Sequence, residues 1–322
     1  MATENLPAKN EKLARVKKAN AAFRDSLNKC SICPRRCGAD RARGKTGYCR
    51  APSLPVVYSY SPHHGEEPPL SGRRGSGTIF FSRCNMKCVY CQNYYFSQLD
   101  NGAEVTIDKL SGMMLYLQKA GCHNINLVSP THFVPQIMAA LEIALEKGLS
   151  IPIVYNTGGY DLVETIRLLE GIVDIYLPDM RYSDNETAEK YSDAPDYVEY
   201  NKTSVKEMNS QVGGLILDDY GVAKRGLIVR LLALPNDISG IKKTLRFIKE
   251  EIGGNTYLSV MGQYYPTFKA YSYKDISRAV SRDEYKNIVD EAKFLELNNG
   301  WIQEEPAGLD TEFFGTNIKP KT

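Results

Sequence analysis

The sequence predicts an α/β fold, a partial (βα)6 TIM-like barrel carrying an N-terminal cysteine-rich extension. Two observations carry that prediction. From residue 76 onward, short apolar runs alternate with amphipathic stretches, the rhythm of right-handed βαβ units on a parallel sheet. Each of the six apolar runs is also followed by polar or glycine-rich residues, as expected where βα loops converge on the C-terminal ends of barrel strands.

The chain divides into residues 1–74 (a helix, a four-cysteine module and a proline-rich connector), 75–299 (the barrel) and 300–322 (a tail). Leu13, Val16, Phe23 and Leu27 predict an amphipathic helix over 10–28, interrupted on its apolar face by Asn20. Cys30, Cys33, Cys37 and Cys49 follow, with Gly38, Gly44 and Gly47 supplying turns. Paired short loops of this kind suit an all-thiolate site, either structural zinc or a second iron–sulfur cluster. In a module with so little core, a bound metal supplies folding free energy. The segment 52–75 holds five prolines together with His63, His64, Glu66 and Glu67, and reads as an extended connector rather than a helix or strand.

Strands are expected at 78–82, 124–128, 151–155, 172–177, 226–233 and 256–261. Helices are expected at 107–120, 134–147, 160–169, 186–192 with 197–211, 239–251 and 282–297. The first of these lines up Ile107, Leu110, Met113, Met114 and Leu117 as a core face, and the last opens with the capping box Ser281-Arg-Asp-Glu284. Residues 300–322 show no periodicity and are expected to be loosely ordered.

At 322 residues, with 43% hydrophobic and 24% charged residues, the chain suits a soluble globular protein. The polar N-terminus lacks the apolar core of a signal peptide, and no run approaches the roughly 20 apolar residues of a membrane helix. A cytoplasmic location without membrane association is the expectation. Eight cysteines in a chain of this size point to metal binding rather than disulfides. Cys122, apart from the others, reads as a small buried residue. The net charge of +2 hides an asymmetry, because residues 1–50 hold thirteen Lys or Arg against four acids. That excess suits a nucleic acid or acidic protein partner, or else a solvated helix face plus arginines offsetting thiolate charge.

The chemistry centres on Cys84-Asn-Met-Lys-Cys88-Val-Tyr-Cys91, directly after the strand Thr78-Ile79-Phe80-Phe81. Thiolates select iron–sulfur clusters, zinc or copper(I) over hard cations. Three cysteines on a [4Fe–4S] cube leave one iron without a protein ligand, and there a second molecule can chelate. The spacing, with Tyr90 before the last cysteine, resembles the signature of the radical S-adenosylmethionine (SAM) superfamily. Cys30-Ser-Ile-Cys33-Pro-Arg-Arg-Cys37-Gly38, Gly65-Glu-Glu-Pro-Pro-Leu-Ser-Gly72, Gly75-Ser-Gly-Thr-Ile-Phe-Phe81 and Cys91-Gln-Asn93 resemble uncharacterised members related to pyruvate formate-lyase-activating enzyme.

The resemblance implies a barrel of the radical SAM type, a [4Fe–4S] cluster on Cys84, Cys88 and Cys91, and SAM as cofactor. It places Tyr90 and Gln92 beside adenine. Asn156 matches the polar end of the third strand, and Asp179-Met180-Arg181 resembles the Asp-Leu-Lys segment of activating enzymes. Arg230 is a partner for the SAM carboxylate or ribose, because a guanidinium offers a planar fork of donors. The usual Gly-Gly-Glu run after the second strand is replaced by Ser129-Pro-Thr-His132, leaving Ser129, Thr131 and His132 as candidates to hold the SAM amino group. The implied reaction is reductive cleavage of SAM to a 5′-deoxyadenosyl radical, which takes hydrogen from a protein or peptide, as in glycyl-radical-enzyme activases. A one-electron donor such as flavodoxin or ferredoxin is implied with it. The alternatives are a radical SAM enzyme that modifies RNA through the basic module, and a non-enzymatic zinc protein with two thiolate sites. Tyr264, Tyr265, Tyr271 and Tyr273 in the final loop line a substrate groove or pack as ordinary half-buried residues.

Overall fold

The computed structural model describes residues 9–302. Its strands are β1 (Val56–His63), β2 (Ser76–Phe81), β3 (Ala103–Glu104), β4 (Ile125–Val128), β5 (Ile153–Thr157), β6 (Ile175–Pro178), β7 (Ile216–Leu217), β8 (Ala223–Leu232), β9 (Tyr257–Met261) and β10 (Gly300–Ile302). The helices are α1 (Lys9–Ala22), α2 (Pro68–Ser71), α3 (Tyr94–Ser97), α4 (Ile107–Lys119), α5 (Val134–Glu146), α6 (Val163–Arg167), α7 (Asn185–Ser192), α8 (Tyr197–Val212), α9 (Ile241–Phe247) and α10 (Arg282–Phe294). Strands β2, β4, β5, β6, β8, β9 and β10 run parallel in that order across one sheet. The two ends of the sheet do not pair with each other, so the barrel is partial.

All six expected strands are present, and α10 opens with the expected capping box from Ser281 and Glu284. The parallel strands are legible because burial on both faces makes them nearly continuous apolar runs.

The structure corrects the sequence reading at three places. The proline-rich segment contains strand β1, antiparallel to β2 from Val57 opposite Phe81 to His63 opposite Ser76. Proline is tolerated there because β3 covers β1 only at Val56 and Val57, so Pro62 lies on an open edge where no amide hydrogen is needed. Residues 300–302 form β10 beside Leu258–Val260 rather than a tail. Gly300 permits that approach, since a Cβ at its φ of 128° would lie 2.0 Å from the Leu258 carbonyl oxygen. The remainder of the expected tail, 303–322, lies outside the described residues. Helix α1 ends at Ala22 rather than at residue 28, and Asn20 uses its polar side chain to bond Glu142 of α5 at 2.8 Å.

One apolar core runs from Val16, Ala19 and Phe23 through the strands to Ile288 and Leu297, so the N-terminal extension packs into the barrel's own core. A second, small cluster fills the space within the sheet, where Leu70 of α2 meets Val154, Ile175, Leu177, Ala223 and Ile228. Burying such a leucine contributes about 1.5–3 kcal/mol, and it anchors the segment that carries Glu66 and Glu67. Of the thirteen basic residues in 1–50, seven (Lys12, Arg15, Lys17, Arg35, Arg36, Arg43 and Arg50) stand in ion pairs with acids of this same chain. Five of these pairs reach acids outside residues 1–50, so about half of the local excess of nine is offset within the chain, which weakens the case for a nucleic-acid surface. No helix among the described residues is long and apolar enough to cross a membrane.

Candidate active site

The loop that leaves β2 carries Cys84, Cys88 and Cys91 at the C-terminal end of the first barrel strand. Arg83 turns the chain there with a φ of 71°, and Ser129 leaves β4 with a φ of 56°. The left-handed region costs a non-glycine residue about 1 kcal/mol or more, so both strand ends are held by their surroundings. The Lys87 and Val89 amides donate to the Ser192 and Tyr191 carbonyls of α7, each at 2.9 Å, and the Lys269 amide donates to the Val89 carbonyl at 2.9 Å.

Each thiol meets a donor. The Met86 amide reaches Cys84 Sγ at 3.4 Å, Ser192 Oγ donates to Cys88 Sγ at 2.9 Å, and Cys91 Sγ lies 3.2 Å from Ser97 Oγ. A chain of hydroxyls continues outward from Ser192 to Tyr182 and then Tyr90, each step 2.6 Å. Burial pushes the Cys84 thiol up to about 12, and Cys88 nearby adds to the shift while Arg181 opposes it. Burial likewise pushes Cys91 up to about 11, with Cys88 beside it and Arg181 opposing. The three thiols and the Arg181 guanidinium therefore share one electrostatic neighbourhood.

A charged array crosses the sheet beneath this loop. Asp179 accepts from Arg230 Nε at 2.8 Å and pairs with Arg181 Nη2, so one carboxylate holds two guanidiniums. Arg230 Nη2 also donates to Asn156 Oδ1 at 2.6 Å. Gly159 allows the crossing, because a Cβ at its φ of 77° would lie 2.1 Å from the Asp179 carbonyl oxygen. Arg181 Nε, though buried, has no hydrogen-bond partner among the described residues.

Of the residues singled out in sequence, the structure brings together Tyr90, Asn156, Asp179, Arg181 and Arg230 with the three cysteines. Tyr90 is buried between Tyr182 and Tyr264, and its hydroxyl is pushed up to about 12 by burial and by Cys88. Met180 is buried in the apolar core, Gln92 is exposed, and Ser129 donates its amide to the Asn156 carbonyl at 2.8 Å. Thr131 is bonded to Asp161 at 2.7 Å, and the His132 ring, 2.8 Å from the Ser82 carbonyl, is pushed down to about 3 by burial. Thr131 is thus engaged by Asp161, whereas His132 Nδ1 is buried without a hydrogen-bond partner among the described residues. In the final loop Tyr264 is buried and donates to the Ile276 carbonyl at 2.6 Å, whereas Tyr265 and Tyr271 are exposed.

Sequence reasoning assigned no role to Glu66 and Glu67. Glu66 lies 3.9 Å from Arg230 Nη1, and burial together with Glu67 pushes its carboxyl up to about 7. Among the described residues Glu67 Oε2 is buried without a hydrogen-bond partner, and the Asn126 amide faces the Glu66 carboxyl. The adjacent acids before Pro68-Pro69 were the available signal.

Among the described residues, no three His, Cys, Asp or Glu side chains are gathered to hold one metal ion. A cubane cluster binds each thiolate through a different iron, so its ligands stand farther apart than those of a single zinc. Three thiols of one loop, each given a donor and faced by a guanidinium, fit such a cluster; a lone zinc is the poorer fit.

Residues 78–209 match the family model described as Radical SAM superfamily. An uncharacterized protein of Methanocaldococcus jannaschii, MJ0674, is 30% identical over 278 residues, covering 84% of this chain and 75% of its own. Among solved structures, the FeFe-hydrogenase maturase HydG aligns with a TM-score of 0.46 at 15% identity, over 68% of this chain and 48% of its own. HydG from Carboxydothermus hydrogenoformans aligns with 0.46 at 13%, over 68% and 50%. Methylornithine synthase PylB aligns with 0.44 at 14%, over 91% and 75%. The chain thus spans about half the length of the two maturases.

Proposed function

The chain belongs to the radical SAM superfamily of enzymes, which use a [4Fe–4S] cluster and S-adenosylmethionine, and on that premise we propose that it abstracts hydrogen from a protein or peptide. Cys84, Cys88 and Cys91 would hold the cluster, and Arg230, Asn156 and Tyr90 would hold SAM. When bound and given one electron by an external donor, these cofactors would supply, with release of methionine, a 5′-deoxyadenosyl radical that takes a hydrogen atom from the substrate. The observation that carries the reading is the meeting of three donor-bonded thiols with Arg181 at the barrel mouth.

This chain's residues have distinct parts in that reaction. Arg181 offsets thiolate charge, and Asp179 fixes both guanidiniums, so that Arg230 presents its remaining donors to a carboxylate or diol. Ser192 donates to Cys88 and steadies that ligand. Cys88 is buried, as are Met86, Tyr90, Tyr182 and Tyr264 around the loop, while Cys84 and Cys91 are half-buried; excluding water on this side favours a reactive radical.

An open groove of about 400 Å³ is lined by Asp184, Thr187, Lys190, Tyr191, Asn236 and Asp275 among others. Tyr191 both lines that groove and holds Val89 of the loop. The sequence resemblance to activating enzymes is what supports a protein or peptide substrate. To test the substrate class, the reconstituted enzyme is incubated with a macromolecular extract from deuterium-grown cells, and 5′-deoxyadenosine is analysed for deuterium. Protease treatment of the extract abolishes the label if the reading holds. Loss of label on ribonuclease treatment, with protease having no effect, would move the assignment to RNA.

A further inference from the structure

The four thiols of the N-terminal module were open to zinc or to a cluster on sequence grounds, and the structure distinguishes the two. Cys30, Cys33, Cys37 and Cys49 are all free thiols, and every pair among them lies within electrostatic reach. The fold builds this convergence: the Cys30 amide donates to the Ala39 carbonyl at 3.0 Å and the Gly38 amide to the Cys30 carbonyl at 2.9 Å, which folds Cys37 back on Cys30. Gly47 closes the ring, since a Cβ there would lie 2.2 Å from Cys37 Sγ. The amides of Ile32, Arg35 and Ala51 each bond the thiol two residues before, at Cys30, Cys33 and Cys49.

Arg41 supplies an independent observation. It is 1% exposed, yet its guanidinium makes two bonds to the Pro52 carbonyl (3.0 and 2.8 Å) and one to that of His132 (2.8 Å), lies 5.5 Å from the Phe133 ring centroid and reaches the Cys30 thiol. No carboxylate among the described residues forms an ion pair with it. A permanently charged group buried in this way is stabilised by an anion, and among the described residues the thiols of Cys30 and Cys49 lie within its electrostatic reach. Among the described residues, neither these four thiols nor Cys84, Cys88 and Cys91 are gathered as ligands of a single metal ion.

We propose that Cys30, Cys33, Cys37 and Cys49 bind a second iron–sulfur cluster of the cubane class, fully ligated by thiolates, with Arg41 offsetting its charge. A single zinc would draw the four sulfurs together tetrahedrally; a cube spreads them over four irons. The centre is tied to the barrel mouth. Arg41 grips the carbonyl of His132 in the loop after β4, and Arg35 donates to the Asn85 carbonyl at 3.0 Å while its guanidinium lies 3.5 Å over the Tyr48 ring.

The test is iron, sulfide and zinc analysis of the anaerobically reconstituted protein and of the variant Cys84→Ala/Cys88→Ala/Cys91→Ala. The expected result is about eight irons in the unmodified chain and about four in the variant, with a reduced-cubane electron paramagnetic resonance signal that SAM leaves unchanged. A variant free of iron, with or without one zinc per chain, overturns the inference. Equal iron of about four per chain in both proteins would instead sink the assignment of Cys84, Cys88 and Cys91 while leaving this one standing. A second measurement needs no variant: SAM titrated into the reduced unmodified protein should shift about half of the cluster signal, and a shift of all of it contradicts a second cluster.

Discussion

Replacing Arg230 with methionine removes the fork that ties three strands together at the barrel's centre. The side chain is 18% exposed and makes two close bonds, to Asp179 at 2.8 Å and Asn156 at 2.6 Å. Removing one partner of a buried ion pair costs about 3–5 kcal/mol. Asp179 keeps Arg181, however, so its charge is not left alone, and the Asn156 oxygen adds about 1–3 kcal/mol as an orphaned acceptor. The net expectation for Arg230→Met is a loss of about 2–4 kcal/mol. Arg230→Lys keeps the charge but cannot reach Asp179 and Asn156 together, so about 1–2 kcal/mol is expected. Urea denaturation of the metal-free protein measures stability, and equilibrium dialysis of SAM against the reconstituted protein measures binding. Arg230→Met should weaken SAM binding at least tenfold, roughly one charge-assisted hydrogen bond. A variant within about 0.5 kcal/mol of the parent that binds SAM equally well would refute the role given to this array.

Three further outcomes follow from the same geometry. Glu66 has its folded-state carboxyl pushed up from 4.5 to about 7 by burial and by Glu67, so its stabilising contribution is full below about 4.5 and is lost progressively as pH rises from there to about 7. The parent should lose up to ~1.4 kcal/mol per pH unit more than Glu66→Gln over that window; parallel pH profiles would show that the buried acid does not titrate there. Ser192→Ala removes the donor to Cys88 and should lower the cluster's midpoint potential by about 20–60 mV, one neutral hydrogen bond's worth; an unchanged potential in spectroscopic titration argues against the contact. Gly159→Ala forces a methyl onto the Asp179 carbonyl at positive φ and should cost about 2–4 kcal/mol, seen as a lower urea midpoint.

The barrel was legible because its parallel strands are buried on both faces, and the residues that matter follow those strands in order. Cys84–Cys91, Asn156, Asp179, Arg181 and Arg230 all come from strand ends, where local reading already places chemistry. Strand β1 was hidden by Pro62, whose edge position is a property of the sheet and not of the segment. β10 was hidden because three residues carry no periodicity, and its pairing spans some forty positions to Leu258. Glu66 and Glu67 escaped for a related reason. They reach Arg230 only because β1 returns the chain and Leu70 plugs the interior. Arg41 looked like one basic residue among thirteen until the fold buried it against carbonyls and a thiol.

The central claim is that the thiols of the β2 loop hold the centre at which SAM is cleaved. The most direct measurement is the yield of 5′-deoxyadenosine from SAM under anaerobic reduction, comparing the reconstituted parent with Cys88→Ala. The account predicts steady formation by the parent and complete loss in the variant. An undiminished yield from Cys88→Ala would contradict it.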